Sequence, residues 1–131
     1  MKIDISIGEL LDKVSILAIK LEKVKDPGKL VNIQKEYDIL GDAMVAEGIG
    51  LASPDFLELL QINRELWCIE DVIRLKEANK SFDVEFIALA RSVYFTNDER
   101  AEVKKAINLK FGSDIIEEKE YVEYNRLKDK G

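Results

Sequence analysis

The sequence contains no histidine and a single cysteine, Cys68, in 131 residues. The lack of histidine excludes imidazole acid–base catalysis, the usual catalytic triads and zinc sites with histidine ligands. One cysteine excludes an intramolecular disulfide, and a chain without disulfides fits a reducing compartment. We therefore expect a cytoplasmic protein with no cofactor and no metal site, while a hard metal held by carboxylates stays open as an alternative.

Proline, glycine and long apolar runs are also scarce. The chain has two prolines and seven glycines, which favours long helices over a sandwich of short strands. No apolar run approaches the roughly 18 residues that a membrane helix needs, and the N-terminal residues lack the pattern of a secretory signal. The net charge of −6 argues against nucleic acid or an anionic membrane as a partner, since both select a basic surface.

What the sequence does contain is a regular helical pattern of apolar residues. They recur at alternating spacings of three and four, as in coiled-coil seams; Leu10, Val14 and Leu17 are one example, and Leu59, Ile62 and Leu66 another. Helix-start signals divide this pattern, with predicted N-caps at Ser6, Asp26, Ser53, Asp83 and Thr96.

These signals predict an all-α fold, an antiparallel helical bundle of about five helices with heptad-like seams. The predicted domain is 1–112. Residues 113–131 form a polar C-terminal tail, partly docked or flexible, which Tyr121 and Tyr124 could hold in part.

Several polar side chains lie beside the apolar seams. The segment 84–95 is apolar almost all round, so we expect a buried helix with Arg91 inside it. Cations outnumber carboxylates six to two in the full set, which is Glu9, Lys13, Lys20, Asn63, Glu70, Arg74, Arg91, Arg100 and Lys104.

A buried arginine keeps its proton, so it must find an anion or water. We expect Arg91 to meet Glu70 directly and Arg100 to keep a free guanidinium near a helix start, where anions are favoured. Trp67 is a further candidate for stacking on a base or sugar. The predicted ligand-binding residues are Lys13, Lys20, Asn63, Trp67, Glu70, Arg74, Arg91, Arg100 and Lys104.

Three functions are compatible with this set. The first is a small binding module that holds an anionic metabolite, either a phosphorylated sugar or a nucleotide sugar. The second is a helical interaction or oligomerisation protein whose polar cluster is structural. We also expect a homodimer, because Ile16 and Ile19 make the first helix apolar on a second side. The third is an enzyme on a phosphorylated substrate, with Glu9 or Glu70 as acid–base.

The chain resembles a family of short, all-helical bacterial proteins known only as a domain of unknown function. The likeness lies in ISIGELLDKVSILAIK, NRELWCIEDVIRLKE, FIALARSVYFTNDERAEVKKAIN and GSDIIEEKEY, whereas Val31 to Asp55 is generic. The resemblance implies a genomic setting near genes for surface-glycan synthesis. It implies no activity and no catalytic residues, because that family has none assigned.

Overall fold

The computed structural model describes residues 1–124, which form four helices and no strand. Helix α1 spans Ile7–Lys23, α2 spans Pro27–Ala46, α3 spans Pro54–Ala78 and α4 spans Val84–Lys110. The predicted all-α class is confirmed. The prediction of about five helices is wrong, because the expected fourth and fifth helices are one continuous helix.

Thr96 does not start a new helix, because no residue before it in α4 ends the helix. The segment 84–110 contains neither glycine nor proline, so the backbone stays helical through residue 96. A threonine caps a helix only when its own backbone has left the helical conformation. Thr96 is instead buried within α4.

The other predicted helix boundaries are confirmed where the chain offers a local cap. The Ser6 hydroxyl accepts a hydrogen bond from the Glu9 amide at 3.1 Å, and the Asp26 carboxylate accepts one from the Gly28 amide at 2.9 Å. Asp83 accepts one from an amide in the first turn of α4. Just past α4, Gly112 has a φ of +65°, which glycine adopts without the steric cost that other residues meet.

Helix α1 occupies the centre of the fold, since it packs against each of the other three helices. The core around it includes Leu11, Met44 and Leu59. Leu17 and Leu66 are both buried, as their spacing predicts. Ile19 is buried within the chain as well, so the second apolar side of α1 does not supply the free surface that we expected a homodimer to use.

Residues 67–95 are the half of the α3–α4 hairpin that includes its connecting loop, and we call them the hairpin tip. None of these residues is buried. Val84 is 80% exposed and Ile87 is 56% exposed, so the predicted burial of 84–95 is wrong. The reason is helix length. At about 1.5 Å per residue, the 25 and 27 residues of α3 and α4 extend well beyond the 17 residues of α1. Helix α2 packs on α1 only and does not cover the tip.

After α4 the chain runs back along that helix. The Ser113 hydroxyl accepts a hydrogen bond from the Ile7 amide at 3.1 Å. Farther on, the Tyr124 hydroxyl donates to the Asp98 carboxylate, and its ring packs edge-on against Tyr94 at 5.1 Å between centroids. Residues 113–124 therefore contact the helical domain, whereas residues 125–131 of the predicted tail lie outside the described residues.

Candidate functional site

Among the described residues, the most deeply buried charge is Asp12 on α1, whose side chain is 1% exposed. Arg100 on α4 donates to it from two nitrogens, Nε to Oδ1 at 2.8 Å and Nη2 to Oδ2 at 2.5 Å. This is the bidentate geometry of a guanidinium and a carboxylate. Asn63 on α3 donates from Nδ2 to Oδ1 at 2.9 Å. Asp12 thus connects three helices.

The remaining polar atoms around Asp12 are also satisfied. Asn63 Nδ2 lies 2.8 Å from Ser15 Oγ, to which it donates, and Ser15 Oγ donates to the Asp12 carbonyl at 2.7 Å. Burial alone raises the pKa of Asp12, but the hydrogen bonds from Arg100 and Asn63 and the positive charges nearby outweigh it and leave the pKa below its usual value. The pKa of Arg100 is raised, chiefly by its hydrogen bond to Asp12. Asp12 and Arg100 are therefore a charged pair.

Lys104, one turn along α4 from Arg100, is nearly buried and has three carboxylate neighbours. Its Nζ donates to Glu9 at 2.6 Å and to Glu117 at 3.4 Å, and lies 3.8 Å from Asp12 Oδ2. The charge of Lys104 is the main cause of a lowered pKa at Glu117.

We call Asp12, Ser15, Asn63, Arg100, Lys104, Glu9 and Glu117 the Asp12 cluster. It holds two cations and three carboxylates, so the surplus of cations expected from the sequence is not present there.

Gly8 allows α1 and α4 to approach each other closely enough for these contacts. A Cβ atom at this position would lie 2.5 Å from the Lys104 carbonyl oxygen and 2.9 Å from Asn108 Oδ1. The Gly8 amide donates to the same Asn108 oxygen at 2.6 Å. Because the helices touch here, short side chains one turn away on α1 reach Arg100 and Lys104.

Beside the Asp12 cluster lies a cavity of about 660 Å³ between α4 and the returning segment 119–124, which we call the α4 cavity. Its walls include three tyrosines, three cations, an amide and a carboxylate: Tyr94, Tyr121, Tyr124, Arg100, Lys104, Lys119, Asn97 and Asp98. A smaller space of about 250 Å³ shares Asp98, Lys104, Lys119 and Tyr121 with it. Arg100 and Lys104 therefore face the cluster on one side and the cavity on the other.

Of the nine predicted ligand-binding residues, only Arg100 and Lys104 line the α4 cavity. Asn63 lies behind them in the Asp12 cluster, and Lys13 forms an ion pair with Glu9 at 3.7 Å. The other five do not line it: Trp67, Glu70 and Lys20 are half-buried, and Arg74 and Arg91 are exposed.

The predicted contact between Arg91 and Glu70 is wrong. Within residues 1–124 no hydrogen bond or ion pair joins them, and the Arg91 guanidinium lies over the Phe95 ring at 5.6 Å from its centroid. Arg91 is exposed because no other element among residues 1–124 covers the hairpin tip, so water can solvate its charge and a buried anion is not required.

Sequence reasoning missed Asp12, the acceptor that occupies Arg100. A signal was present, because Gly8, Asp12 and Ser15 recur at spacings of four and three and place small or polar residues on one side of α1. Such a side suits close contact with another helix. No comparable signal marks Asn97, Asp98 or Lys119, which meet only because the chain turns back along α4.

The two predicted acid–base candidates, Glu9 and Glu70, do not line the α4 cavity. Among the described residues no group of three or more carboxylate or cysteine side chains is placed to hold a metal ion. Within the same range, no helix is both long and apolar enough to cross a lipid bilayer.

Comparison with known proteins supports the resemblance seen in the sequence. The model of a family of unknown function, DUF6165, matches residues 1–126. No curated protein and no solved structure matches the chain.

Proposed function

Since the chain belongs to this family of unknown function, we propose from its own structure that it is a small binding module for an anionic sugar metabolite. The ligand would be a phosphorylated sugar or a nucleotide sugar, held in the α4 cavity. The observation that supports the proposal is the cavity of about 660 Å³, which has tyrosine rings and cations in its walls. Small-molecule sites usually have volumes of about 300–1,000 Å³, with apolar walls and a few polar groups.

The chemistry of the walls suits the parts of such a ligand. The rings of Tyr94, Tyr121 and Tyr124 offer flat apolar surfaces for a base or for the apolar face of a sugar. Asn97 supplies an amide that both donates and accepts hydrogen bonds, and Asp98 supplies acceptors, which match sugar hydroxyls.

Lys119 is the cation best placed to contact a phosphate. Its partner, Glu117, lies 3.5 Å away, and its side chain is 41% exposed, so it can reorient toward a ligand. Burial by itself lowers the pKa of Lys119, but interactions with Tyr121 and Glu117 outweigh it and raise the pKa, which keeps the ammonium charged. Arg100 and Lys104 add positive potential from the cavity wall while they stay bound to the carboxylates of the Asp12 cluster.

Thermal unfolding and titration calorimetry test this proposal with UDP-glucose and glucose 1-phosphate as probes and glucose as the uncharged comparison. We expect the phosphorylated probes to raise the melting temperature and glucose alone to have little effect. Lys119→Met should weaken binding about tenfold, the effect of losing roughly 1.4 kcal/mol.

The matched control is Lys110→Met. Lys110 is an exposed lysine at the end of α4 that pairs with Asp55 and does not line the cavity. Its loss should leave binding unchanged. The proposal fails if neither phosphorylated probe binds at millimolar concentration, or if the two variants weaken binding equally.

The proposal includes an antiparallel arrangement of the helices with heptad-like seams and a cytoplasmic location. Burial of Leu10, Val14 and Leu59 on the predicted seams supports the helix arrangement.

The cytoplasmic location is supported by Cys68, a free and exposed thiol, because such a thiol persists best in a reducing compartment.

A helical interaction protein is the second candidate function. The observation in its favour is the hairpin tip, which leaves apolar side chains exposed on two long helices.

A further inference from the structure

The hairpin tip has a mainly apolar surface on one side. A groove of about 370 Å³ runs between the two helices there, with Val72 of α3 facing Ala88 and Leu89 of α4. Glu85 and Ser92 of α4 complete its lining. Val72 is 43% exposed although it lines this groove. A concave apolar surface of this kind, open to water, is a place where another apolar side chain gains by burial.

A protruding apolar side chain lies beside the groove. Leu75 follows Val72 by three residues, which places it on the same side of α3 one turn farther on, and it is 63% exposed. Cys68, four residues before Val72, is also exposed on this side. One surface thus carries both an apolar projection and an apolar groove. A twofold-symmetric interface requires this combination, since each copy must supply both halves of the contact.

The nearly balanced charge of the hairpin tip favours a second copy of this chain over a partner whose surface is strongly positive or strongly negative. Residues 67–95 contain four cations (Arg74, Lys76, Lys80, Arg91) and five carboxylates (Glu70, Asp71, Glu77, Asp83, Glu85), which gives 4 − 5 = −1, whereas the whole chain carries −6. At the rim of the groove, Lys76 pairs with Asp83 at 2.9 Å and with Glu85 at 3.1 Å. The tip lacks the basic surface that nucleic acid or an anionic membrane selects. Two copies would meet with little net repulsion.

We propose that the hairpin tip is the interface of a homodimer in which Leu75 of each copy fills the groove of the other. This goes beyond the proposed ligand binding and is independent of it. Ser92 of the groove and Ala101 of the cavity are nine residues apart, or two and a half turns, which places them on opposite sides of α4. Each helix contributes only about 18 Å of length to the tip, so the interface is small and the dimer should dissociate in the micromolar range.

Sedimentation equilibrium between about 1 and 500 μM tests the dimer. The unmodified chain should pass from monomer to dimer in this range, and Leu75→Glu should stay monomeric with unchanged helical circular dichroism. The matched control is Leu57→Glu. Leu57 is an exposed leucine on the same helix, 47% accessible, and the 18 residues between the two equal five turns, so both project from the same side. This variant should still form the dimer.

The reactivity of Cys68 provides a second test of the dimer, and it needs no introduced cysteine. As the only cysteine, on the groove side of α3, it should react more slowly with a thiol reagent as the concentration of the unmodified chain rises. In Leu75→Glu its rate should not depend on concentration. A chain that remains monomeric at 500 μM overturns the proposal, and so does a Leu57→Glu variant that loses the dimer as completely as Leu75→Glu. Either result leaves ligand binding by the α4 cavity unaffected.

Discussion

At the scale of the residue, the pair of Asp12 and Arg100 is the one whose loss we expect to cost the most stability. The carboxylate is almost entirely buried and the arginine side chain is 26% exposed, so the removal of one partner leaves the other charged in a poorly hydrated place. The role of Arg100 is therefore partly structural. The sequence alone indicated a free guanidinium.

Arg100→Met should lower the free energy of unfolding by about 3 kcal/mol, because it leaves the carboxylate of Asp12 without its main partner. Arg91→Met is the control, since Arg91 is exposed and pairs with no carboxylate among the described residues. It should change stability by less than about 0.5 kcal/mol. Urea denaturation of both variants measures the difference, and a larger loss for Arg91→Met would contradict the assignment.

The depressed pKa of Asp12 also predicts how stability depends on pH. A carboxylate whose folded pKa lies below its unfolded value of about 3.9 stabilises the fold above that pH. This contribution is lost as the pH falls through the lower, folded pKa. We therefore expect the free energy of unfolding to fall below about pH 4, and to fall less steeply in Asp12→Asn. Urea titrations at pH 5, 4 and 3 measure both slopes, and equal slopes would exclude Asp12 as a source of the acid dependence.

At the scale of the element, α1 is the helix that packs against each of the other three. It approaches α4 closely at Gly8. No side chain fits between the helices there, because the Lys104 carbonyl occupies the space that a Cβ would need. The obstacle is backbone, so a larger residue must push the helices apart.

Gly8→Ala should destabilise the protein by about 1–3 kcal/mol, the usual cost of forcing extra volume into a packed contact. Gly41→Ala is a matched control in α2, where a Cβ meets nothing within 4 Å. It should stabilise the helix by up to about 1 kcal/mol, because alanine loses less backbone entropy than glycine. Thermal or urea unfolding separates the two. Equal effects of the same sign would show that α1 and α4 are not in close contact at Gly8.

At the scale of the whole molecule, burial is unevenly distributed. Within residues 1–124 the buried side chains belong to Ser6, α1, the C-terminal parts of α2 and α4, Ile49 and the first half of α3, whereas the hairpin tip has none. Local opening costs least where few apolar contacts are lost. The tip should therefore open independently of the core.

Amide hydrogen exchange should show this difference within a single helix. In α3, amides of residues 70–78 should exchange faster than those of residues 59–66 at low protein concentration, where a dimer has dissociated. The comparison keeps the helix constant and changes only the burial of its side chains. Equal protection of the two halves under these conditions would mean that the tip is covered by part of the same chain.

The sequence by itself determined the features that depend on near neighbours. Caps at Ser6, Asp26 and Asp83 bond to amides two or three residues away, so the local sequence is enough to place them. The spacing of apolar residues placed Leu17 and Leu66 on the apolar sides of α1 and α3, and both are buried.

Tertiary structure alone decided the candidate site and the extent of the core. Asp12 and Arg100 are 88 residues apart in sequence, and only the packing of α1 on α4 makes them partners. The α4 cavity exists because the chain returns along α4 after Gly112. Arg91 is the opposite case, since its apolar neighbours in the sequence predict burial, but no element of the described part of the chain lies over them. Whether an apolar surface is covered depends on the lengths and positions of other helices, and a residue's own neighbours in the sequence carry no information about those.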